Sequence, residues 1–237
     1  MSWFSCKPLT LDRSPASDIN VVLFGPVGCG KSSIINLLAE KSIAQVSADV
    51  EPCTKQPRSY QISVGERQIR LWDTAGFHGG ISRTDCEEAH AVLRNLPDGV
   101  HLILLCASKN GIVASLRSLY WLINDLFFGG RAPIAFVVTH LDTPDERWWE
   151  RNRESITART GIPVQSIPHA CVTTVKRAHH DRSKQALKAL FPTYTSPIPL
   201  RLDFSSRTTA SLDLSTRCNL ALTEATALVE EFSKPNI

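Results

Sequence analysis

Eight consecutive residues have the spacing of a phosphate-binding loop: Gly25, Pro26, Val27, Gly28, Cys29, Gly30, Lys31 and Ser32. Backbone N–H groups in such a loop, together with the positive end of the next helix dipole, point at one anion. We expect Lys31 to contact the terminal phosphates of a polyphosphate, Ser32 to bind a magnesium ion, and Ser33 to continue the nucleotide-binding segment. The competing interpretation is a glycine-rich turn that binds nothing, which would leave the adjacent lysine and serine unexplained.

A second motif follows the apolar pair Leu71-Trp72 and reads Asp73-Thr74-Ala75-Gly76. A carboxylate at the end of a neighbouring strand can hold magnesium through water, and the Gly76 N–H can contact a γ-phosphate. A loop of this kind responds to the presence of that phosphate, so the motif predicts a switch. An ordinary strand-ending turn is the alternative, and the preceding phosphate loop argues against it.

Apolar runs that alternate with amphipathic stretches place these motifs in an α/β fold. The strands that we predict are Ile19–Phe24, Tyr60–Val64, Gln68–Trp72, Val100–Cys106, Ile134–Thr139 and Val164–Ala170. The predicted helices are Lys31–Lys41, Cys86–Asn95, Ala114–Phe128, Asp145–Arg159 and Ser183–Phe191. A short Gly-containing turn joins the second and third strands, which predicts a hairpin and one antiparallel edge strand.

The phosphate loop and the Asp-x-x-Gly strand together resemble the GTPase superfamily of the Ras-like and translation-factor class. The chain is more loosely similar to its septin, chloroplast-import-receptor and immunity-associated branches, over Asn20 to Phe191. The resemblance implies a three-layer P-loop NTPase fold, with about six mostly parallel strands and helices on both faces. It also implies GTP or GDP with Mg2+ as ligands, and it makes Thr54 the residue that completes the magnesium shell in the triphosphate state.

The resemblance further implies a base-reading motif at Thr139-His140-Leu141-Asp142. A buried Asp142 carboxylate would accept from N1–H and the exocyclic amine of guanine, donors that adenine cannot supply. His140 stands where the superfamily usually has lysine; a partly buried strand-end histidine is the alternative role. Ala170 is the nearest candidate for the base-contacting loop after the sixth strand.

Three residues bear on hydrolysis. Phe77 follows Gly76, where Ras-like members carry the glutamine that orients the attacking water, and a phenyl ring cannot do this. The branched Val27 would crowd an arginine finger inserted by a partner. His78 could orient the water instead, or could be a solvated loop histidine. We therefore expect slow hydrolysis, with catalytic roles for Lys31, Thr54, Gly76 and His78.

The composition bounds the remaining possibilities. Lys plus Arg number 26 against 23 Asp plus Glu, and because the basic residues are scattered, a nucleic-acid partner is not indicated. Seven cysteines stand singly, which fits a reducing compartment, and Cys29 near a helix N-terminus is a candidate for a lowered thiol pKa. No signal peptide, lipidation motif or membrane-length apolar run is evident, so we expect a cytoplasmic protein without a direct membrane anchor.

The predicted domain organisation has three parts. Residues 1–18 form a flexible arm, 19–191 the G domain, and 192–237 a proline-containing linker with a C-terminal helix. The expected partner besides the nucleotide is a protein effector or a second copy of the chain. Two other functions stay open: a scaffold that holds nucleotide without turnover, favoured by Phe77 and Val27, and an ATP-using P-loop enzyme.

Overall fold

The computed structural model describes residues 18–46, 57–77 and 82–202. Its strands are β1 Ile19–Phe24, β2 Arg58–Val64, β3 Arg67–Asp73, β4 Leu102–Ser108, β5 Ile134–Thr139 and β6 His169–Cys171. Its α-helices are α1 Lys31–Ala39, α2 Arg83–Arg94, α3 Ile112–Tyr120, α4 Glu146–Thr160 and α5 His180–Tyr194. The alternation predicted from the apolar runs is therefore confirmed.

The six strands form a single sheet in the order β2-β3-β1-β4-β5-β6. β2 pairs antiparallel with β3, with Ser59 opposite Trp72, and the other neighbouring strands are parallel. The predicted hairpin and antiparallel edge strand are thus confirmed. Because β1 lies between β3 and β4, the carboxyl ends of these three strands meet at one edge of the sheet.

Alternate residues of the central strands pack into two hydrophobic layers. Val22 and Phe24 of β1 face the layer that contains buried residues of α2, α3 and α4. Val21 and Leu23 face the opposite layer, with α1 and α5. Burial on both faces explains why these strands are continuous apolar runs without polar alternation.

Helix ends are set by local chemistry. α2 begins with a capping box, in which the Ser82 hydroxyl accepts from the Asp85 N–H and the Asp85 carboxylate accepts from the Ser82 N–H. The Asp145 side chain caps α4 by accepting from the Arg147 N–H. Trp149 of α4 is buried and stacks on His169 with ring centroids 4.3 Å apart, which fixes α4 against the β6 edge.

The last helix, α5, extends beyond its predicted end at Phe191. α5 continues to Tyr194, and the chain after it runs along the start of β4. Val100 and Leu200 exchange two backbone hydrogen bonds of 2.8 Å, and Ser196 N–H donates to the His101 carbonyl at 2.8 Å. The predicted C-terminal helix lies outside the described residues. Among the helices that the structure describes, none is long and apolar enough to cross a membrane.

Candidate functional site

The predicted phosphate loop connects β1 to α1 at the carboxyl edge of the sheet. Gly28 and Gly30 have φ angles of 72° and 93°, which lie in a backbone region that residues with a side chain rarely adopt. Gly25 is required for a different reason, because a Cβ there would lie 2.3 Å from the Cys106 carbonyl oxygen. The glycines therefore allow the chain to turn tightly against β4 and to begin α1 at Lys31.

Lys31 lies inside this loop and is buried. Its ammonium donates to the carbonyls of Gly25 at 3.0 Å and Pro26 at 3.2 Å. These contacts hold a positive charge within the curve of the loop, where a bound polyphosphate would place its negative charge.

Ser32 and Asp73 meet at the junction of the phosphate loop with β3. The Ser32 hydroxyl donates to Asp73 Oδ2 at 2.7 Å, and Asp73 is 1% exposed. A hydroxyl and a carboxylate are the hard oxygen donors that Mg2+ prefers. The donor set fits a magnesium ion held by Ser32 and Asp73, directly or through water.

The Asp-x-x-Gly segment lies directly on the phosphate loop. The Thr74 hydroxyl donates to the Leu23 carbonyl at 2.6 Å, which anchors the start of the segment to β1. A Cβ on Gly76 would lie 2.6 Å from Val27 Cα, so only glycine permits this approach. The two loops therefore touch through their backbones.

Phe77 completes the junction. Its N–H donates to the Gly25 carbonyl at 3.2 Å, and its carbonyl accepts from the Val27 N–H at 3.0 Å. The phenyl ring lies near that of Phe24, with centroids 6.1 Å apart, and packs on the hydrophobic layer. Phe77 thus anchors the segment, at the position for which the resemblance to Ras-like members implies a water-orienting glutamine.

Thr139 ends β5 and ties that strand to the phosphate loop. Its buried hydroxyl donates to the Cys29 carbonyl at 2.6 Å and lies 3.2 Å from the Ala107 carbonyl. His140 has a φ of 58°, and its imidazole borders the loop: a Cβ on Gly30 would lie 3.9 Å from His140 Nε2. The structure therefore brings the predicted base-reading motif next to the predicted phosphate loop.

Asp142 differs from the expectation of a buried carboxylate, because its side chain is 77% exposed. Lys109 Nζ donates to Asp142 Oδ2 at 2.9 Å, and Lys176 Nζ lies 3.7 Å from Oδ1. The hydrogen bond and charge of Lys109, followed by the charge of Lys176, lower the pKa of the Asp142 carboxyl. Neither Lys109 nor Lys176 belongs to a sequence motif, so the sequence alone does not indicate these contacts.

The placement of Ala170 corrects another expectation. Ala170 is the central residue of β6, has no exposed surface, and so does not lie in the loop that follows the strand. That loop passes through Thr173, whose N–H donates to the Ser183 hydroxyl at 3.1 Å. A cleft of about 550 Å³ separates this region from α1, and Ser33 is one of its lining residues.

Cys29 also differs from expectation. Although it lies near the start of α1, its thiol is buried, and this desolvation raises the pKa of Cys29 above its ordinary value. The expectation of a lowered pKa for the Cys29 thiol is therefore wrong. Two predicted site residues, Thr54 and His78, lie outside the described residues.

Comparison with protein families gives a match over residues 20–139 to a family described as 50S ribosome-binding GTPase. The match contains the phosphate loop, the Asp-x-x-Gly segment and Thr139. YkfA of Escherichia coli K12, described as uncharacterised, is 31% identical over 121 residues, which are 51% of this chain and 40% of YkfA. The tRNA modification GTPase MnmE of Rhizobium meliloti is 26% identical over 144 residues, 60% of this chain and 30% of MnmE.

Two solved structures have the same fold. Toc33 of Arabidopsis thaliana, in complex with GDP and Mg2+, superposes with a TM-score of 0.54 and 17% identity, covering 78% of this chain and 88% of Toc33. Era, in complex with MgGDPNP and a segment of 16S ribosomal RNA, superposes with a TM-score of 0.53 and 16% identity, covering 79% of this chain and 59% of Era. The chain thus spans less than half the length of the curated relatives described above, and most of the length of Toc33.

Proposed function

This chain belongs to the family described as 50S ribosome-binding GTPase, and from that premise we propose a Mg2+-dependent guanine-nucleotide switch that hydrolyses GTP slowly. The observation that carries the proposal is the backbone junction between the phosphate loop and the Asp-x-x-Gly segment. Through this junction, a change in the phosphates bound at Lys31 would be felt directly at Gly76 and Phe77.

Each motif has a separate role in this proposal. Lys31 and the loop N–H groups bind the phosphates, and Asp142 selects guanine by accepting from two N–H groups of the base. Magnesium, when held by Ser32 and Asp73, supplies charge stabilisation to the phosphates. Thr54 is proposed to complete the ion's shell, and the base-contacting loop is proposed to begin at Thr173 in place of Ala170.

Slow turnover is proposed from the surroundings of Phe77. Its ring packs toward Phe24, and its backbone is hydrogen-bonded to the phosphate loop. Phe77 therefore has no polar side-chain group that could orient an attacking water. The Val27 side chain lies against Gly76, where it would obstruct a partner's arginine. Any water-orienting group must come from elsewhere, and His78 is the proposed residue.

The nucleotide-holding scaffold is the second candidate, and the same contacts of Phe77 and Val27 favour it. In that case the Gly76–Phe77 segment reports which nucleotide is bound, and a partner protein or a second copy reads that segment. The prediction that no nucleic acid binds stays a prediction, because Era was solved bound to ribosomal RNA. A cytoplasmic location is also proposed, since the seven cysteines stand singly in the sequence, as in proteins of a reducing compartment.

Release of phosphate from GTP and Mg2+ tests the proposal. We expect slow, steady release that Lys31→Ala abolishes. Lys41→Ala, which changes an exposed lysine just beyond α1, is the matched control and keeps the parent rate. If GTP stays intact on the parent protein for many hours, the hydrolase function is contradicted and the scaffold function is favoured. If phosphate is released from ATP at the same rate as from GTP, guanine specificity is contradicted.

A further inference from the structure

Lys109 contacts the proposed base-reading carboxylate from a neighbouring strand. It directly follows Ser108, the last residue of β4, and its backbone N–H donates to the Thr139 carbonyl at 3.1 Å. Its ammonium donates to Asp142 Oδ2 at 2.9 Å. Lys109 is therefore fixed at its backbone by the strand end that also ties the phosphate loop, and at its side chain by Asp142.

The proposed base-reading motif has a histidine, His140, and no lysine of its own. The residue that precedes Leu141 and Asp142 is a histidine with a positive φ, and its ring borders Gly30 of the phosphate loop. The motif itself thus has no lysine. Within the described part of the chain, the cations that contact Asp142 come from Lys109 and Lys176, on two different connections of the sheet.

We propose that Lys109 is a positioning residue for guanine recognition, which orients the exposed Asp142 carboxylate toward the base. The inference rests on the proposed guanine specificity of Asp142. Without a partner, the Asp142 side chain, which is 77% exposed, would sample several rotamers. Binding of the base would then have to restrict it to one rotamer, at a cost in side-chain entropy. A carboxylate offers about four lone-pair sites, so Oδ2 can keep Lys109 and still accept from the base.

The geometry favours Lys109 over Lys176 in this role. The Lys109 ammonium is at hydrogen-bond distance and its side chain is 29% exposed, whereas Lys176 is 3.7 Å away and 54% exposed. Lys109 also continues a chain of contacts: Thr139 bonds to Cys29 in the phosphate loop and to Lys109, which bonds to Asp142. Through these contacts the proposed phosphate and base subsites share the end of β5.

The test is the affinity for GDP, IDP and ADP of the parent, Lys109→Met, Lys109→Arg and Lys176→Met. IDP lacks the exocyclic amine of GDP, so the GDP-to-IDP ratio reports whether Asp142 accepts both donors. We expect Lys109→Met to lower the affinity for GDP by about 5-fold or more and to reduce the GDP-to-IDP affinity ratio by about 3-fold. Lys109→Arg should restore the ratio, and Lys176→Met should change it by less than about 2-fold.

The outcomes separate this inference from the proposed function. If the parent binds ADP as tightly as GDP, the guanine specificity and the role of Lys109 are both overturned. If the parent prefers GDP and Lys109→Met keeps the GDP-to-IDP ratio, only the role of Lys109 is overturned. As a further check, Lys109→Met should have no additional effect in an Asp142→Asn background, and an additive loss would show that Lys109 does not act through Asp142.

Discussion

Replacing Thr139 with valine tests whether β5 holds the phosphate loop in place. Valine keeps the shape of threonine but removes the hydroxyl that donates to the Cys29 carbonyl at 2.6 Å. Both residues are buried, so water cannot replace the lost donor. The variant should therefore lose stability and also bind nucleotide less tightly.

The magnitude follows from the burial of the carbonyl. Loss of a partner by a buried polar group costs about 1–3 kcal/mol. A chain of this length loses roughly 2–4 °C of Tm per kcal/mol, so we expect a decrease of about 4–8 °C for a central cost of about 2 kcal/mol. If about 1 kcal/mol of that cost appears as disorder of the loop, the Kd for GDP rises about 5-fold.

Thermal unfolding and GDP titration measure the two effects, and Thr160→Val is the matched control. Thr160 is also a buried threonine whose hydroxyl donates to a backbone carbonyl at 2.6 Å, that of Ile156 within α4. Its replacement should leave the GDP affinity unchanged. The reasoning is refuted if Thr139→Val binds GDP as tightly as the parent does, or if Thr160→Val lowers the affinity for GDP as much as Thr139→Val does.

Two other changes test the contact between the phosphate loop and the Asp-x-x-Gly segment, and the contact of His101 with β1. Gly76→Ala places a Cβ 2.6 Å from Val27 Cα and should lower the free energy of unfolding by about 1–3 kcal/mol, because the two backbone hydrogen bonds of Phe77 break. Gly111→Ala is the control, because its Cβ meets nothing closer than 3.4 Å. Equal Tm values for the two variants would disprove the contact. His101 Nδ1 accepts from the Asn20 N–H, and burial lowers the pKa of His101 below 6.5. Because the unfolded chain then binds the proton more tightly, the free energy of unfolding should fall as pH drops below about 6.5. His101→Gln should reduce that slope in denaturant titrations at pH 7.5 and 5.5, and an unchanged slope would count against this assignment.

The parts of the fold that sequence analysis predicts well are those where one strong signal decides the structure. β1 and β5 begin and end at the predicted residues, because their apolar runs stop at the phosphate loop and at Thr139. Gly28 and Gly30 likewise favour a tight turn through their own positive φ angles. In these segments local chemistry and tertiary packing favour the same conformation.

Where local signals conflict, the prediction fails. Val164, the first residue of the predicted strand Val164–Ala170, lies in a single 3-10 turn, and Pro168 separates this turn from β6. The predicted helix across Ala114–Phe128 continues beyond Tyr120 as a π-helical segment, Trp121–Phe127, which apolar spacing does not distinguish from an α-helix.

The contact of Lys109 with Asp142 is missed for a different reason. The contact between Lys109 and Asp142 joins residues 33 positions apart, so no short motif contains it. It exists because parallel pairing brings the carboxyl ends of β4 and β5 together, with Ser108 opposite Thr139. A single sequence gives the order of the strands along the chain but not this pairing. The role of Phe77 as an anchor is likewise visible only once Phe24 lies beside it.

We propose that guanine nucleotide binds at the carboxyl ends of the strands through Lys31 and Asp142. Calorimetric titration of the full chain with GDP and with ADP, in buffer containing Mg2+, tests this binding. We predict saturable GDP binding with at least about 100-fold weaker ADP binding, and loss of GDP binding in Lys31→Ala. Equal affinity for the two nucleotides, or unchanged GDP binding in Lys31→Ala, would contradict the claim.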